Sequence, residues 1–332
     1  MNPALQGLLT IAIGVGACVG YFYFANQILD KVIFPARGPN AGRNINRANH
    51  IRPWLFLFPA IFALGLYLAY PVVETLRLSL SDREQGGAFV GLDNYSQMMS
   101  EPKFWEAMRN NMLWLIVVPA MSTAFGLLAA QLTDRIGWGN IAKSLIFMPM
   151  AISFVGAGVI WKLVYETRPD DIAQIGVLNA ILAGLGGAPQ TWLTIPFWNN
   201  FFLMIVLVWI QTGFAMVILS AALRGIPEET VEAAIVDGAN PFQIFFKIKV
   251  PQIMPTIVVV WTTITLTVLK IFDIVFAMTN GQWETQVLAN YMYDKLFRAG
   301  DWGVGSAAAI IIMLLVSPIL VWNVHNARKE MR

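Results

Sequence analysis

The residues in this chain that could do chemistry are polar side chains set inside long apolar runs. Trp209-Ile210-Gln211-Thr212-Gly213-Phe214 places an indole, an amide and a glycine halfway along the apolar stretch 197–223. Polar groups at membrane depth are costly, and they mark solute pathways. An uncharged solute rich in hydroxyls needs amide hydrogen bonds at its rim and aromatic faces against its C–H surface. Trp209, Gln211, Thr212 and Phe214 therefore form one candidate set for a sugar-like molecule. A second set follows in 250–274, where Lys270 and Asp273 are expected on one helix face near the outer end, with Thr262, Thr263, Thr265 and Thr267 deeper. Each has a structural alternative. Gln211 can bond between helices, the threonines can bond back to their own helix, and Lys270 can snorkel to the interface beside Asp273.

Other chemistries find no residues to carry them. Asp170-Asp171, beside Arg168 and Pro169, reads as a solvated turn rather than a general acid/base pair. His50 and His325 lie far apart, and no His/Asp/Glu set has metal-ligand spacing. The single cysteine, Cys18, excludes an intrachain disulfide framework and a cysteine-based metal site. No GxxxxGK[ST] phosphate-binding loop occurs. No cofactor is expected on this chain and it is not expected to be an enzyme. If ATP drives it, the nucleotide and its magnesium sit on another polypeptide.

The elements that must position these residues are membrane helices. With 332 residues, 57% of them hydrophobic and 13% charged, the composition is that of an all-α polytopic membrane protein. Only helices or closed barrels cross a bilayer with their backbone groups paired, and runs of this length mean helices. A net charge of +2 implies no nucleic-acid partner. Seven spans are expected: 1–29, 53–73, 110–133, 144–161, 197–223, 250–274 and 303–324. The first carries no charge and lacks the basic start of a signal peptide. Val15-Gly16-Ala17-Cys18 only faintly resembles a lipoprotein cleavage box. Residues 30–52 form a basic linker, expected to be irregular. The uncharged stretch 172–196 is interrupted by Gly184-Leu185-Gly186-Gly187-Ala188-Pro189 and reads as an apolar loop with a short re-entrant or surface helix. Of the 22 Lys and Arg residues, 13 fall in the shorter segments 30–52, 134–143, 224–249 and 325–332. The positive-inside rule puts those segments in the cytoplasm, with the amino terminus periplasmic and the tail 326–332 cytoplasmic.

One polar stretch between two spans stands apart: 224–255, RGIPEETVEAAIVDGANPFQIFFKIKVPQIMP. Pro227 at the first helical position, with Glu228 and Glu229 behind it, is a helix start. Val231, Ala234 and Ile235 are spaced to share a face. Gly238 allows a sharp exit, and Asn240-Pro241 begins a second helix with Phe242, Phe245 and Phe246 on one side. Two short helices around a glycine turn, at the cytoplasmic mouth of a bundle, read as a docking element.

The order Glu232-Ala233-Ala234, three residues, Gly238, nine residues, Ile248-x-x-Pro251 resembles the EAA loop of permease subunits of binding-protein-dependent ABC importers. Val250 replaces the usual leucine. The resemblance extends over 53–325. Phe89-Val90-Gly91-Leu92-Asp93-Asn94-Tyr95, Phe147-Met148-Pro149-Met150-Ala151-Ile152-Ser153 with Trp161, Leu223-Arg224-Gly225-Ile226-Pro227, Lys270-Ile271-Phe272-Asp273 and Met278-Thr279-Asn280-Gly281 resemble its carbohydrate branch, the maltose and alpha-glucoside type. The last run has fewer glycines than is usual in that branch.

The resemblance implies a type I core of six spans plus one amino-terminal span in a bacterial inner membrane. It implies a paralogous second permease, a pair of ATPase subunits and a periplasmic solute-binding protein as partners, besides lipid and a sugar substrate. In the coupling loop 224–251 it assigns ATPase contact to Glu232, Ala233, Ala234, Asp237, Gly238, Ile248 and Pro251. The sugar pathway would take in Trp209, Gln211, Thr212, Phe214, Thr263, Thr267, Lys270 and Asp273. Rival readings are a permease for a polyol or glycerol phosphate, and a stand-alone membrane sensor or channel.

Overall fold

A computed structural model describes residues 3–82, 87–134, 136–169 and 171–330. Asp170 of the expected acidic turn and the side chain of His325 lie outside the described residues. The chain is almost wholly helical and divides into two compact units, 1–74 and 75–332, with the boundary inside the helix Tyr70–Ser79.

In the first unit, Pro3–Ile28 and Ala41–Leu64 are held together by aromatic and polar contacts. Tyr21 donates its hydroxyl proton to the Leu55 carbonyl at 2.9 Å, Phe22 stacks on Phe56, and Arg52 pairs with Asp30 at 2.6 Å. The expected irregular linker 30–52 is helical from Ala41 onward. No helix breaker intervenes between Gly42 and Pro53, and the Asn44 amide ties the helix start back to the Pro35 carbonyl at 3.0 Å.

The second unit is built on two long helices, Pro102–Thr133 and Trp198–Arg224, packed side by side. They approach so closely at Gly126 that an added β-carbon would sit 2.4 Å from the Ala215 β-carbon. Trp114, Val118, Leu203, Leu207, Met216, Ile264, Val268 and Ile274 are fully buried around this pair.

Two further spans are broken. The fourth bends by 105° between Gly139–Ala151 and Phe154–Val164, so the straight helix expected over 144–161 is corrected to an angled pair. Pro149 supplies no N–H to the preceding turn. Ser153 then caps the new helix by accepting from the Gly156 N–H at 3.1 Å. The other bends by 71° between Pro241–Gln252 and Met254–Leu269, where Pro251 and Pro255 flank the break.

Among the described residues, four helices are long and apolar enough to cross a membrane, or six with each bent pair taken as one span. The helix Trp302–Glu330, apolar over Trp302–Pro318, occupies the place of the seventh expected span. In the stretch 172–196 the helix Val177–Gly184 is anchored through Asn179. That side chain donates to the carbonyls of Glu166 and Gln190 and accepts from the Gln190 N–H and the Trp192 indole.

Candidate functional site

The docking element folds as two packed helical pieces around one glycine. The helix Glu228–Val236 starts one residue later than the sequence placed it, with Pro227 as its N-cap and not its first residue. It ends in a Schellman turn. Gly238 at φ +78° donates to the Ile235 carbonyl at 3.0 Å, and Ala239 donates to the Ala234 carbonyl at 2.9 Å. Asn240 and Gln243 then form a reciprocal capping box that starts the next helix. The element packs inward through Ala234 and Ile244, with Val231 and Ile248 half-buried.

Ile235 does not share that buried face, as the spacing suggested; it points outward beside Val236. Phe242 and Phe246 are exposed and Phe245 is half-buried against Phe246, while Ile244 takes the inward position among them. Val236 is 86% and Phe242 77% exposed, and with Ile235 and Phe246 they make an apolar tip around Gly238. Glu232, Ala233 and Asp237 are exposed on the same element, and Pro251 lies exposed at the bend above it.

Behind the docking element, one carboxylate joins three helices. Asp134 follows Pro102–Thr133 and accepts from Lys143, from the Ser220 hydroxyl at 3.1 Å, and from Arg224 Nε and Nη2 at 3.0 and 2.8 Å. Lys143 also donates to Ser220 at 2.7 Å. Burial opposes ionisation of Asp134, but the bonds from Lys143, Arg224 and Ser220 outweigh it and hold the carboxyl below the usual carboxylate range. A cavity of about 550 Å³ lies between this cluster and the docking helix, lined by Asp134, Arg224, Glu228, Val231, Glu232 and Lys249.

At the other end of the same two long helices, four asparagines hold an unusual loop. Asn280, Gly281, Trp283 and Glu284 all have positive φ. Asn110 donates to the carbonyls of Glu284 and Gln286 at 2.9 and 2.8 Å, Asn111 accepts from the Leu288 N–H at 2.8 Å, Asn199 donates to the Trp283 carbonyl, and Asn200 donates to that of Glu284. The left-handed backbone costs about 1–2 kcal/mol per non-glycine residue, and this cradle offsets it. Gly281 is required here, because an added β-carbon would sit 2.1 Å from Gln286 Oε1.

The candidate solute residues do not converge on one cavity. Trp209 and Thr212 line a largely apolar cavity of about 660 Å³ with Trp161, whose indole meets Trp209 edge to face at 5.7 Å. Gln211 is 8% exposed, and its amide makes no hydrogen bond to another described residue. Phe214 is half-buried. Thr212, Thr263 and Thr267 donate to the carbonyls four residues earlier in their own helices. Gly213 is a packing residue: an added β-carbon would lie 2.6 Å from the Ile146 carbonyl oxygen. Lys270 and Asp273 are not on one helix face. Met254–Leu269 ends at Lys270 and a separate helix, Asp273–Met278, begins at Asp273. The reason is local, because Phe272 adopts φ −139° and ψ −56°, outside the helical region.

The family model described as "Binding-protein-dependent transport system inner membrane component" matches residues 53–331. The chain belongs to this family. It is therefore a transport permease of the inner membrane, crossing it several times and working with a solute-binding protein. The permease is 63% identical to the alpha-glucoside transport system permease protein AglF of Rhizobium meliloti (strain 1021), over 99% of each chain. It is 46% identical to the osmoprotective compounds uptake permease protein GgtC of Synechocystis sp., over 83% of this chain and 99% of the other. Among solved structures, a bacterial ABC transporter that imports the acidic polysaccharide alginate has a chain with TM-score 0.73 at 22% identity, over 86% of this permease and 99% of that chain. That likeness is one of fold.

Two groups in the permease were not singled out from sequence. The Asp134 cluster leaves no local trace, because Asp134, Lys143, Ser220 and Arg224 are spread over 90 residues. The asparagine cradle leaves a weak one: Asn110-Asn111 and Asn199-Asn200 are adjacent pairs near the starts of two long apolar helices.

Proposed function

We propose that this chain is a transmembrane subunit of an ATP-driven carbohydrate importer, with an alpha-linked glucoside as its substrate class. The observation that carries this reading is the docking element. A two-piece helical element, capped at its glycine turn, presents Val236, Phe242 and Phe246 outward, while the sequence contains no phosphate-binding loop motif. An exposed apolar tip with acidic flanks is a protein-docking surface. Its occupant is one of two ATPase subunits, and Glu232, Ala233, Ala234, Asp237, Gly238, Ile248 and Pro251 form or support the contact. Closure of the ATPase pair pushes this element. The spans on either side then rock as rigid bodies against a second, paralogous permease, shifting the population between inward-open and outward-open states. The amino terminus faces the periplasm and the docking element faces the cytoplasm, as the distribution of Lys and Arg supports.

The sugar class rests on the 63% identity to an alpha-glucoside permease over the whole chain. Along the pathway, the amide of Gln211 supplies hydrogen bonds to hydroxyls, and Trp209, beside Thr212, supplies an aromatic face; Phe214, Thr263, Thr267, Lys270 and Asp273 stand outside that cavity, on the same helix and on the segments that follow. An osmoprotective solute is the second reading, favoured by the 46% identity to an osmoprotective compounds permease.

The test is ATP hydrolysis by the complex reconstituted with its second permease and ATPase, stimulated by solute-loaded binding protein across a panel of sugars and polyols. Stimulation is expected with maltose, sucrose or trehalose. Solute movement by the purified chain alone, or stimulation by no carbohydrate, would overturn the reading.

A further inference from the structure

We infer that Asp134 is a positioning residue for coupling: it clamps the end of the Trp198–Arg224 helix so that motion of the docking element is passed to the bundle. This rests on the function proposed above. Three observations carry it. The first is connectivity. Arg224 is the last residue of a 27-residue helix, and only Gly225, Ile226 and Pro227 separate it from the docking helix Glu228–Val236. Any displacement of that helix reaches the bundle at Arg224.

The second is convergence. The carboxylate binds Arg224 through both Nε and Nη2, binds Ser220 one turn back on the same helix, and binds Lys143 from Gly139–Phe147, while itself closing Pro102–Thr133. Two helix ends and the middle of a third helix thus share one anion. Glycine contacts higher up bring the same helices together, since Gly126 abuts Ala215 and Gly213 abuts Ile146. The joint at Asp134 therefore terminates a tightly packed rod, and a push at Arg224 moves the rod as a body instead of bending its last turn.

The third is charge. One carboxylate faces two cations, and the side chain of Lys143 is only 13% exposed. Removing the anion leaves a buried ammonium unpaired beside a guanidinium, which drives the helix ends apart. Glu228 and Glu232 line the cavity on the opposite side. Without Asp134, Arg224 turns to those carboxylates, and the docking helix pairs with a loosened helix end instead of a fixed one. Hydrolysis at the ATPase then continues while less of its stroke reaches the transport pathway.

The experiment compares Asp134→Asn with the unaltered permease in the full complex, in proteoliposomes, using labelled maltose, sucrose or trehalose and the binding protein. The readout is sugar moved per ATP hydrolysed, at matched assembly. That ratio is expected to fall about fivefold or more, the scale of ordinary coupling energies, with hydrolysis persisting. An unchanged ratio, or transport and hydrolysis falling together, overturns the inference, since either means that Asp134 serves assembly or folding alone. If Asp134→Asn does not assemble, Lys143→Met and Ser220→Ala, which each remove one arm of the joint, are read in the same way. A ratio unchanged in both sinks the inference. Absence of coupled transport in the unaltered complex would instead remove the function on which it rests.

Discussion

The turn at Gly238 allows the docking element to be tested separately from its partner. Gly238 holds φ +78°, and a β-carbon added there meets no atom within 4 Å. Space is therefore no obstacle, and the cost of a side chain is that of the left-handed backbone, about 1–2 kcal/mol for an ordinary L-residue. That cost weakens the turn by about 5–30-fold relative to competing conformations. Asparagine and aspartate tolerate this region far better, and a β-branched residue tolerates it worst. Expressed at equal abundance, the variants are expected to lose ATPase co-purification and solute uptake in the order Gly238→Asn, Gly238→Ala, Gly238→Val. Gly238→Asp is expected to keep the turn yet lose uptake, by about tenfold or more, because it adds a carboxylate beside Asp237 on the apolar tip; charges within a few ångströms of one another and a desolvated contact cost on this scale. Uptake by Gly238→Ala equal to that of glycine would refute the backbone argument. So would equal loss in Gly238→Asn and Gly238→Val, since side-chain volume on the docking face would then be decisive.

Gly126→Val, which forces a β-carbon to within 2.4 Å of Ala215, is expected to lower the thermal stability of the detergent-solubilised permease by about 1–3 kcal/mol or more, read as an earlier unfolding transition. Gly213→Ala should behave in the same way, reducing abundance without changing which sugar is preferred, because its contact is with Ile146 and not with solute. Replacing both Asn110 and Asn200 by leucine removes the donors to the Glu284 carbonyl and is expected to expose the 280–287 loop to proteolysis while leaving the docking element protected. Gln211→Leu should raise the solute concentration needed for half-maximal uptake by about tenfold, the worth of one hydrogen bond in a dry site, with ATPase binding unaffected. The depressed titration of Asp134 fixes the sign of its pH dependence. Its contribution is complete above the usual carboxylate range and is lost only as pH falls through its lowered folded value, so the sugar-to-ATP ratio should not change through this group between about pH 5 and 8.

The parts of this molecule that were legible in sequence are those encoded by neighbours along the chain. The apolar runs located the spans because a bilayer demands one length and one polarity. The docking element was legible from Pro227, the acidic turn, Gly238 and Asn240, since caps and a left-handed exit are local events. What the sequence reading misjudged were packing directions within that local frame. Ile235 had the right spacing for the buried face, yet it is exposed while Ala234, from the same expected face, and Ile244 take the interior. Lys270 and Asp273 had the spacing of a helical pair, but the backbone at Phe272 ends one helix before the next begins.

Sequence alone determined that this is a helical membrane chain without a P-loop motif, bearing an EAA-type docking loop, because composition, that motif and the loop spacing are properties of contiguous residues. Only the tertiary structure decided how that loop meets the bundle. The Asp134 joint draws on residues up to 90 positions apart, and the cradle that holds Trp283 and Glu284 draws on two helices. Such contacts arise where separate helix ends are brought together by close packing at Gly126 and Gly213, and no local pattern records which distant polar group will lie within hydrogen-bond reach.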